Sequence, residues 1–522
     1  MANFKWFLII SLVNICICNG YKFLLVFPLP SKSHGILGDN MVKHLLAAGH
    51  EVTFITPYHY NGVVHPKLKI VDVSATTKVF NSEQLLNVKH FMDKEINFKS
   101  SDFMTHMFID LATITLENEN LQKFIRSSHE RFDAVISEWM FSDLHSVFAA
   151  VFDCPLIWFS TVEPHWIILN LSDGPSNPAY TPDYLHENVS PLTFSQRIYE
   201  LWTQVDGLIR KNFVYHYKEE AAYQRLIVPV LKEKGKLIIP SYETLVYNAS
   251  LTLGNSQVVI GDAFSLPQSY KHIGGYHIDE EVAALPENLQ KIMDSSKHGV
   301  IYFSLGSNLN SKHLPMDVKR GILKVFASLK QTVIWKFEEV FTDVPKNVHM
   351  VKWAPQQSIL AHQKTILFIT HGGLLSVTET IHFGVPIITI PVFADQFLNA
   401  VRAEKKGYGK KVELSYNMAN DLEVTIHEVL SNTKYNKKAK ELSRAYHDRP
   451  MLPKDELLYW VSHVVHSQGA AHLRSPAQDL YLYQKLYIDL IAVVLVVIFV
   501  LRAVIKCIVS NLTKSNTKKK QS

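Results

Sequence analysis

Four short stretches of the sequence carry residue types that could do chemistry. His34 follows an apolar run, and an imidazole can take a proton from a hydroxyl group near neutral pH. Glu138 follows another apolar run, and a carboxylate can hold the second ring nitrogen of such a histidine. Gly306-Ser307 and His371-Gly372-Gly373 are glycine turns ahead of predicted helices, where backbone N–H groups favour anions.

Alternating strands and helices must position these residues. Apolar runs and helical periodicity predict strands at residues 22–27, 51–55, 134–136 and 156–159, with helices at 36–48 and 143–152. Residues 170–270 are helical and aromatic-rich, as at 198–217, and Gly274-Gly275 marks a connection. The alternation then restarts, with strands at 300–305, 332–337, 349–352, 366–370 and 387–390 and a helix at 316–329.

Strands that are apolar on both faces and alternate with helices indicate parallel sheets covered on each side. The sequence therefore predicts an α/β fold with two facing, doubly wound, Rossmann-like domains. Ligands of such sheets bind beyond the carboxyl ends of the strands. His34, Glu138, Gly306 and His371 all follow predicted strands, which places them at this edge.

The two ends of the chain carry targeting signals. Residues 1–20 have one early lysine, an apolar run and small residues at the end, which predicts a secretory signal peptide; the alternative is an uncleaved anchor. Residues 486–509 are apolar enough for one transmembrane helix, and the tail after it is basic. Positive charge belongs on the cytosolic side, so we expect a single-pass type I protein with lumenal domains. Lys519 and Lys520 fit a dilysine retrieval signal to the endoplasmic reticulum, or only a topology signal.

Composition and short motifs limit the binding partners and the covalent modifications that we expect. The formal net charge is +5, and lysines and arginines are dispersed, which excludes the pattern of a nucleic-acid binder. After loss of the signal, Cys154 is the only lumenal cysteine, so no lumenal intrachain disulfide can form. Asn170, Asn188 and Asn248 are glycosylation sequons, and Pro191 makes Asn188 a poor acceptor.

One segment is dense in residues that packing alone does not demand. It runs from Trp353-Ala354-Pro355-Gln356 through His371-Gly372-Gly373, Ser376 and Glu379 to Asp395-Gln396. Here the chain resembles the UDP-glycosyltransferases, and more weakly their membrane-bound animal branch, of arthropod-like type. The resemblance implies the GT-B arrangement of two Rossmann-like domains, a UDP-sugar as donor, and no cofactor.

The resemblance and the residue types together assign roles in this segment. Trp353 can stack on the base, Gln356 can bond near the ribose, and His371 with Gly373 lets the backbone approach phosphate. Gly306 and Ser307 form a second such turn. By resemblance Glu379 binds the ribose hydroxyls, while Asp395 and Gln396 hold the sugar.

Structural explanations compete for single residues. Ser376 and Glu379 also fit a capping box, with Ser376 capping a helix. Trp353 alone would suit a hydrophobic core, and Asp395 alone would suit a helix N-cap. Only their joint occurrence in the family order favours the functional roles.

The reacting end resembles the family's catalytic loop, in which His34 is the general base. The family's partner of that histidine is an aspartate after a strand, and the aligned residue here is Glu138, a departure from the pattern. Asp143 is the alternative partner, or the cap of the helix that follows.

The same resemblance implies inversion at the anomeric carbon, and no metal-binding motif follows a strand. Glucuronyl-transferring members tend to have arginine where this chain has Gly254 and Lys336, so we expect a neutral sugar, glucose. The predicted activity is transfer of a hexose to a hydroxyl of a small lipophilic acceptor, as in detoxification. The alternatives are a catalytically impaired nucleotide-sugar binder or partner of active homologues, and a glucuronosyl-transferring enzyme.

These expectations divide the chain into seven segments. They are a signal peptide at 1–20, an acceptor-binding domain at 21–265, a linker at 266–285, a UDP-sugar-binding domain at 286–455, a membrane-proximal helical segment at 456–485, a transmembrane helix at 486–509 and a basic cytosolic tail at 510–522. The acceptor and any association into homo-oligomers stay open at this stage.

Overall fold

The computed structural model describes residues 20–519 except 59, 61, 63, 80–86, 96–99, 173, 175, 310, 340 and 342. The predicted signal peptide lies outside the described residues except for Gly20. The chain forms two compact units, Met1–Leu473 and Arg474–Ser522. The first unit contains two parallel sheets, which confirms the predicted pair of Rossmann-like domains.

The first sheet has the strand order β3-β2-β1-β4-β5-β6-β7, and all its neighbours pair in parallel. Its strands are β1 Lys22–Val26, β2 Glu51–Thr56, β3 Leu68–Asp72, β4 Ala134–Trp139, β5 Leu156–Ser160, β6 Leu251–Gly254 and β7 Tyr270–His272. The strand order reverses between β1 and β4, where Val26 is paired with Ser137. This register brings the chain after β1 beside Glu138 at the end of β4.

The second sheet has the order β10-β9-β8-β11-β12-β13, also parallel throughout. Its strands are β8 Val300–Ser304, β9 Thr332–Lys336, β10 Val348–Val351, β11 Thr365–Thr370, β12 Ile387–Thr389 and β13 Gly409–Lys411. The order reverses between β8 and β11, where Ser304 pairs with Thr370. The turns at Gly306 and His371 therefore start side by side.

Helices cover both faces of the sheets. Those between β1 and β7 are α1 Lys32–Ala47, α2 Thr76–Val79, α3 Val88–Met92, α4 Ser101–Glu117, α5 Glu119–Ser127, α6 Val147–Phe152, α7 Trp166–Asn170, α8 Phe194–Arg210, α9 His216–Leu226, α10 Val228–Glu233 and α11 Tyr242–Tyr247. Between β7 and residue 473 they are α12 Glu287–Ser295, α13 Met316–Ser328, α14 Gln356–Ala361, α15 Leu374–Phe383, α16 Gln396–Lys406, α17 Met418–Ser431, α18 Thr433–His447 and α19 Pro453–His466. Short 3-10 turns occur at Leu144–Ser146, Ser311–His313 and Ala471–Leu473, and a π-helical turn at Lys211–Tyr215.

Helix α1 differs from its prediction in a way that matters for the site. The expected start at residue 36 is wrong, because the helix begins at Lys32. His34 therefore lies in the first helical turn rather than in a free loop. The predicted helix at 143–152 is also shorter, since a 3-10 turn precedes α6.

Helix α19 returns the chain to the first domain after the second is complete. Its residues Leu457, Val461 and Val464 are buried in the same core as Phe23 and Leu25 of β1. A proline at its start suits a first helical turn, which has no partner for that N–H. This part of the segment that we expected to be membrane-proximal is thus part of the first domain's core.

The second unit contains a 3-10 turn, Pro476–Asp479, a short helix α20, Leu482–Lys485, and the long helix α21, Ile488–Lys519. Within the described residues, one helix is long and apolar enough to cross a membrane, over Ile488–Leu512 with mean hydropathy 2.9. The predicted C-terminal span is confirmed as an apolar helix of sufficient length.

Candidate functional site

A cavity of about 440 Å³ lies where the carboxyl ends of the two sheets meet. Residues from both domains line it, including His34 from the first and Trp353, Glu379 and Asp395 from the second. This is the position at which doubly wound sheets bind ligands. The structure thus brings the sequence-predicted base and the predicted donor residues to one cavity.

His34, which lines this cavity, is paired with Glu138 behind it. The Nδ1 atom of His34 is hydrogen-bonded to Oε1 of Glu138. The histidine side chain is 17% exposed and the glutamate side chain 2% exposed, since Glu138 lies on the buried strand β4. A carboxylate partner assigns the proton to Nδ1 and leaves Nε2 as an acceptor. The extra methylene of glutamate therefore does not prevent contact with His34.

Asp143 is placed elsewhere and does not pair with His34. It accepts a hydrogen bond from the indole N–H of Trp139 at 2.7 Å and forms an ion pair with Lys211 at 3.0 Å. It stands before the 3-10 turn without a side-chain capping bond. This geometry supports neither a role of Asp143 in orienting His34 nor a role in capping the helix.

Trp353 lines the cavity with its ring open to solvent. The side chain is 62% exposed, although the following Ala354 is buried. A core role for this tryptophan is therefore wrong. An exposed indole beside a cavity offers a flat apolar surface on which a planar ring can stack.

Gln356, Ser376 and Glu379 form a hydrogen-bonded group in the wall of the cavity. The side-chain amide of Gln356 donates to Oε2 of Glu379 at 2.5 Å and to Oγ of Ser376 at 3.1 Å. Burial raises the pKa of Glu379 to about 7, although the amides of Gln356 and Gln357 favour its charged form. The capping-box explanation is wrong, because α15 begins at Leu374 and Ser376 and Glu379 lie inside it.

The two glycine turns close around the ring of His371. A Cβ atom on Gly306 or Gly373 would lie 2.6 or 2.5 Å from that ring. Gly306 also has φ 85°, which L side chains rarely adopt. Burial, together with the charge of Lys336, lowers the pKa of His371 to about 4. Near neutral pH His371 is therefore neutral in the ligand-free protein, and it offers hydrogen bonds rather than a positive charge.

Ser307, Asp395 and Gln396 complete the predicted donor set, and all three line the cavity. Burial raises the pKa of Asp395 to about 6, and Oδ2 accepts from the amide of Asn399 at 2.8 Å. Asp395 stands at the start of α16 but makes no side-chain capping bond, so capping does not explain it. The Oε1 atom of Gln396 accepts the backbone N–H of Val392 at 2.9 Å.

The two residues used to infer the sugar have specific surroundings. A Cβ atom on Gly254 would lie 1.8 Å from the hydroxyl of Tyr270, so a larger residue would require Tyr270 to shift, and packing alone gives a reason for glycine there. Lys336 lines the cavity, and its Nζ donates to the carbonyl of Gly306 at 2.8 Å and to Glu338 at 3.0 Å. Lys336 therefore carries more of the sugar argument than Gly254 does.

Several cavity residues were not predicted. Asn308 and Gln357 make contacts between distant parts of the chain, and only their positions beside Gly306-Ser307 and Gln356 could have signalled them. An apolar chamber forms the side of the cavity in the first domain. We define it as Leu29, Met104, Met107, Phe108, Met140, Phe141, Val162 and Tyr184.

The three sequons differ in surroundings. Asn188 is engaged through its amide, which donates to Glu200 at 2.6 Å and accepts from Gln196 at 2.9 Å. Asn248 is exposed at the end of α11, and Asn170 is half-buried.

Within the described ranges, no group of three or more His, Cys, Asp or Glu residues could hold a metal ion.

Residues 22–522 match the family described as UDP-glucoronosyl and UDP-glucosyl transferase. The chain is 31% identical over 513 residues to UDP-glycosyltransferase UGT5 of Dactylopius coccus, which covers 97% of this chain and 94% of that relative. It is 27% identical over 499 residues to UDP-glucuronosyltransferase 1A6 of Mus musculus, covering 93% and 90%.

A solved structure agrees with the fold. The complex of a UDP-glucosyltransferase from Polygonum tinctorium with 3,4-dichloroaniline superposes with a TM-score of 0.54 and 18% identity, covering 85% of this chain and 98% of that one. At this identity the likeness concerns the arrangement of the two domains alone.

Proposed function

The chain belongs to the UDP-glucoronosyl and UDP-glucosyl transferase family, and on that premise we propose that it transfers glucose from UDP-glucose to a hydroxyl group of a small lipophilic acceptor. The observation that carries the proposal is the pairing of His34 with Glu138 at the cavity that Trp353 and Glu379 also line. A base and a nucleotide-sized site share one enclosed space.

In this proposal the acceptor hydroxyl gives its proton to Nε2 of His34 as its oxygen attacks the anomeric carbon of the sugar. The bond from that carbon to the diphosphate breaks, and UDP leaves with the electron pair. Attack on the face opposite UDP inverts the anomeric centre. Glu138 stabilises the imidazolium that forms, since it holds Nδ1–H of His34.

The second domain holds the donor in this scheme. Trp353 stacks on uracil, Gln356 and Glu379 bond the ribose, and the turns at Gly306 and His371 take the diphosphate. The N-terminus of α15 favours negative charge at that point. Ser307, Ser376, Asp395 and Gln396 complete the site, with the last two on the sugar.

Glucose is preferred to glucuronate because of the charge around Lys336. Glu338 pairs with this lysine at 3.0 Å, which reduces the attraction that its charge would offer to the carboxylate of a glucuronyl group. One relative, 30% identical over 531 residues, is named UDP-glucosyltransferase 2 of Dactylopius coccus, which supports the same sugar.

The acceptor class follows from the apolar chamber. Its side chains are methionines, aromatic residues and aliphatic residues, and the rings of Phe108 and Phe141 stack with centroids 5.7 Å apart. Such a lining favours a flat, lipophilic compound with one polar group directed at His34. Conjugation of such compounds is a detoxification reaction.

We also propose the location of the protein. The helix over Ile488–Leu512 anchors it in the endoplasmic reticulum membrane as a single-pass type I protein, and the basic residues after it stay in the cytosol. Both Rossmann-like domains are then lumenal, and the exposed Asn248 is the sequon best placed for glycosylation. Residues 21–265 and 286–455 are the proposed acceptor-binding and donor-binding domains.

A donor screen tests the proposed function. Purified full-length protein receives UDP-glucose, UDP-galactose or UDP-glucuronate, each with and without a panel of phenols and lipophilic alcohols, and UDP release is measured. We expect release that requires an acceptor and is fastest with UDP-glucose. Fastest release with UDP-glucuronate would overturn the sugar, and no release with any donor would leave a nucleotide-sugar binder as the better explanation.

A further inference from the structure

The first turn of helix α1, which carries His34, does not cap itself. Ser31 occupies the N-cap position with extended backbone, but its side chain makes no capping hydrogen bond. The first turn also contains no acidic residue. The initial N–H groups of a helix have no partner within the helix, so they need one from elsewhere.

That partner comes from the other domain. The backbone N–H of Lys32 donates to Oδ1 of Asn308 at 3.1 Å. The amide nitrogen of Asn308 donates to Oγ of Ser31 at 2.9 Å and to Oγ of Ser33 at 3.1 Å. Both ends of this one amide group are thus bound to the three residues that precede His34.

Asn308 belongs to the turn that we assign to the diphosphate. It follows Gly306 and Ser307 after strand β8, between the buried residues Leu305 and Leu309. The carbonyl of Gly306 is held by Nζ of Lys336 at 2.8 Å. The turn is therefore fixed to the second domain, and Asn308 moves with it.

His34 itself is bound to Glu138 of β4, and the hydrogen bonds that hold the rest of α1 to its surroundings lie on the C-terminal side of His34. The hydroxyl of Tyr276 donates to the carbonyl of Leu37 at 2.9 Å, and Nε2 of His44 bonds the carbonyl of Tyr276 at 2.8 Å. Met41, Val42 and Leu45 are buried beneath the helix. Loss of Asn308 would therefore loosen the turn around His34 more than the rest of the helix.

We propose that Asn308 is a positioning residue. Its hydrogen bonds hold the first turn of α1 to the turn at Gly306 that we assign to the diphosphate, and we call this set of bonds the clasp. His34 is then aligned when the diphosphate turn is in place. The inference rests on the proposed function and adds to it a physical link between donor site and base. Because such coupling is reciprocal, a donor nucleotide should also order the turn that carries His34.

The competing explanation is that Asn308 binds the donor itself, since it lines the same cavity. The two roles predict different kinetics. If Asn308 binds the donor, removing its side chain should weaken the binding of UDP. If Asn308 only positions the turn of His34, removing it should lower turnover and leave UDP affinity nearly unchanged.

Asn308→Ala and a matched control separate these roles. Asn118→Ala is the control, because Asn118 caps helix α5 by accepting from the N–H groups of Asn120 and Leu121 at 3.0 and 3.2 Å, with no residue of the cavity involved. We expect Asn308→Ala to lower kcat by about 10- to 100-fold through misplacement of the base. UDP affinity, measured by calorimetry, should change by less than about threefold. The control should keep both values despite a similar loss of thermal stability.

A double-mutant cycle tests the contact directly. The pair Ser31→Ala with Ser33→Ala removes the hydroxyls that Asn308 binds, and it should lower kcat by a smaller factor than Asn308→Ala does, since Lys32 keeps its partner. Combined with Asn308→Ala it should cause no further loss, since groups that share one contact are not additive. Additive losses, an unchanged kcat in Asn308→Ala, or a loss of UDP affinity equal to the loss of kcat/KM would overturn the clasp.

Hydrogen exchange provides a readout that does not need turnover. UDP should slow amide exchange at residues 32–35 in the wild type and in Asn118→Ala, and should fail to do so in Asn308→Ala. If the wild type shows this protection but no transfer with any donor, the proposed enzyme is wrong and the clasp stands. If transfer occurs and UDP protects the turn equally in all three proteins, the clasp is wrong and the enzyme stands.

Discussion

At the scale of single residues, the proposed activity rests on one imidazole, that of His34. Glu138 binds Nδ1 of His34 from the buried strand β4, and the ring lines the cavity. This arrangement fixes the tautomer that can accept a proton. Glutamate at the family's aspartate position is therefore compatible with catalysis.

The roles of the two candidate carboxylates can be separated by isosteric changes. Glu138→Gln should lower kcat by about 100- to 10,000-fold, because the imidazolium loses its charged partner and the tautomer is no longer fixed. Asp143→Asn should lower kcat by less than about tenfold, since Asp143 pairs with Lys211 and Trp139 rather than with His34. Steady-state kinetics at saturating donor decide the matter, and equal losses in the two variants would contradict the assignment.

Donor binding should depend on pH through Glu379. Burial raises the pKa of this carboxyl to about 7, and the ionised form is the stronger acceptor for ribose hydroxyls. As pH falls through about 7 the carboxyl takes up a proton, so affinity for the UDP-sugar should decrease, by at most tenfold per pH unit. Calorimetric titration of UDP-glucose without acceptor between about pH 5.5 and 8.5 measures this.

Glu379→Gln is the control for that pH dependence. The variant should bind the donor weakly at all pH values. Its donor affinity should decrease further only as the pH falls through about 6, because burial raises the pKa of Asp395 to about 6. A wild-type affinity that is constant from pH 6 to 8 would show that Glu379 does not bind the donor as an anion.

At the scale of helices and strands, packing shows which segments belong to which folded domain. Helix α19 completes the core of the first domain, since Leu457, Val461 and Val464 are fully buried. The chain thus crosses back to the first domain before the membrane segment.

Truncation of this helix's buried face should destabilise the fold. Leu457→Ala should lower the free energy of unfolding by about 2–5 kcal/mol, because it leaves a cavity in a packed core. Leu452→Ala, an exposed position just before the helix, should change it by less than about 0.5 kcal/mol. Denaturant unfolding of the full-length protein in detergent measures both. Equally small decreases in the free energy of unfolding in both variants would mean that α19 does not pack on the first sheet.

The strands that the sequence predicted are those with continuous apolar runs. Nine strands, β1, β2, β4, β5, β8, β9, β10, β11 and β12, were found within about three residues at either end. Eight of them are interior strands, whose apolar runs arise because both faces of a central parallel strand are buried, and β10 is an edge strand. The buried interior strand β6, only four residues long, was not predicted, and neither were the edge strands β3, β7 and β13. The sequences of these edge strands, such as Gly-Lys-Lys in β13, are short and polar, as is common for edges of a sheet.

The site was predicted less completely than the fold. The residue types and the family order identified His34, Glu138 and the donor segment, because each follows a recognisable strand. Asn308 and Gln357 could not be found in this way, since their partners lie in the other half of the chain or in the linker. Only the packing of the two domains brings those partners within hydrogen-bond distance.

At the scale of the whole molecule, membrane topology limits where the reaction occurs. In a lumenal orientation the exposed Asn248 is accessible to the glycosylation machinery, and Pro191 makes the sequon at Asn188 a poor acceptor. The proposal therefore predicts glycan at a specific surface position.

Expression in cells with endoplasmic reticulum membranes tests this topology. The wild type should lose apparent mass on treatment with an N-glycosidase, and Asn248→Gln should remove one glycan's share of that shift. Asn188→Gln should leave the shift unchanged. Protease added to sealed microsomes should remove only the short C-terminal tail, and digestion of the large domains would contradict a lumenal location.

The central claim is that His34 removes a proton from an acceptor while the second domain holds a UDP-sugar. The most direct measurement compares acceptor-dependent UDP release by the wild type and by His34→Ala, together with calorimetric affinity for UDP. The account predicts a fall in kcat of about 100- to 10,000-fold with UDP affinity changed by less than about threefold. Equal turnover in the two proteins would contradict the claim.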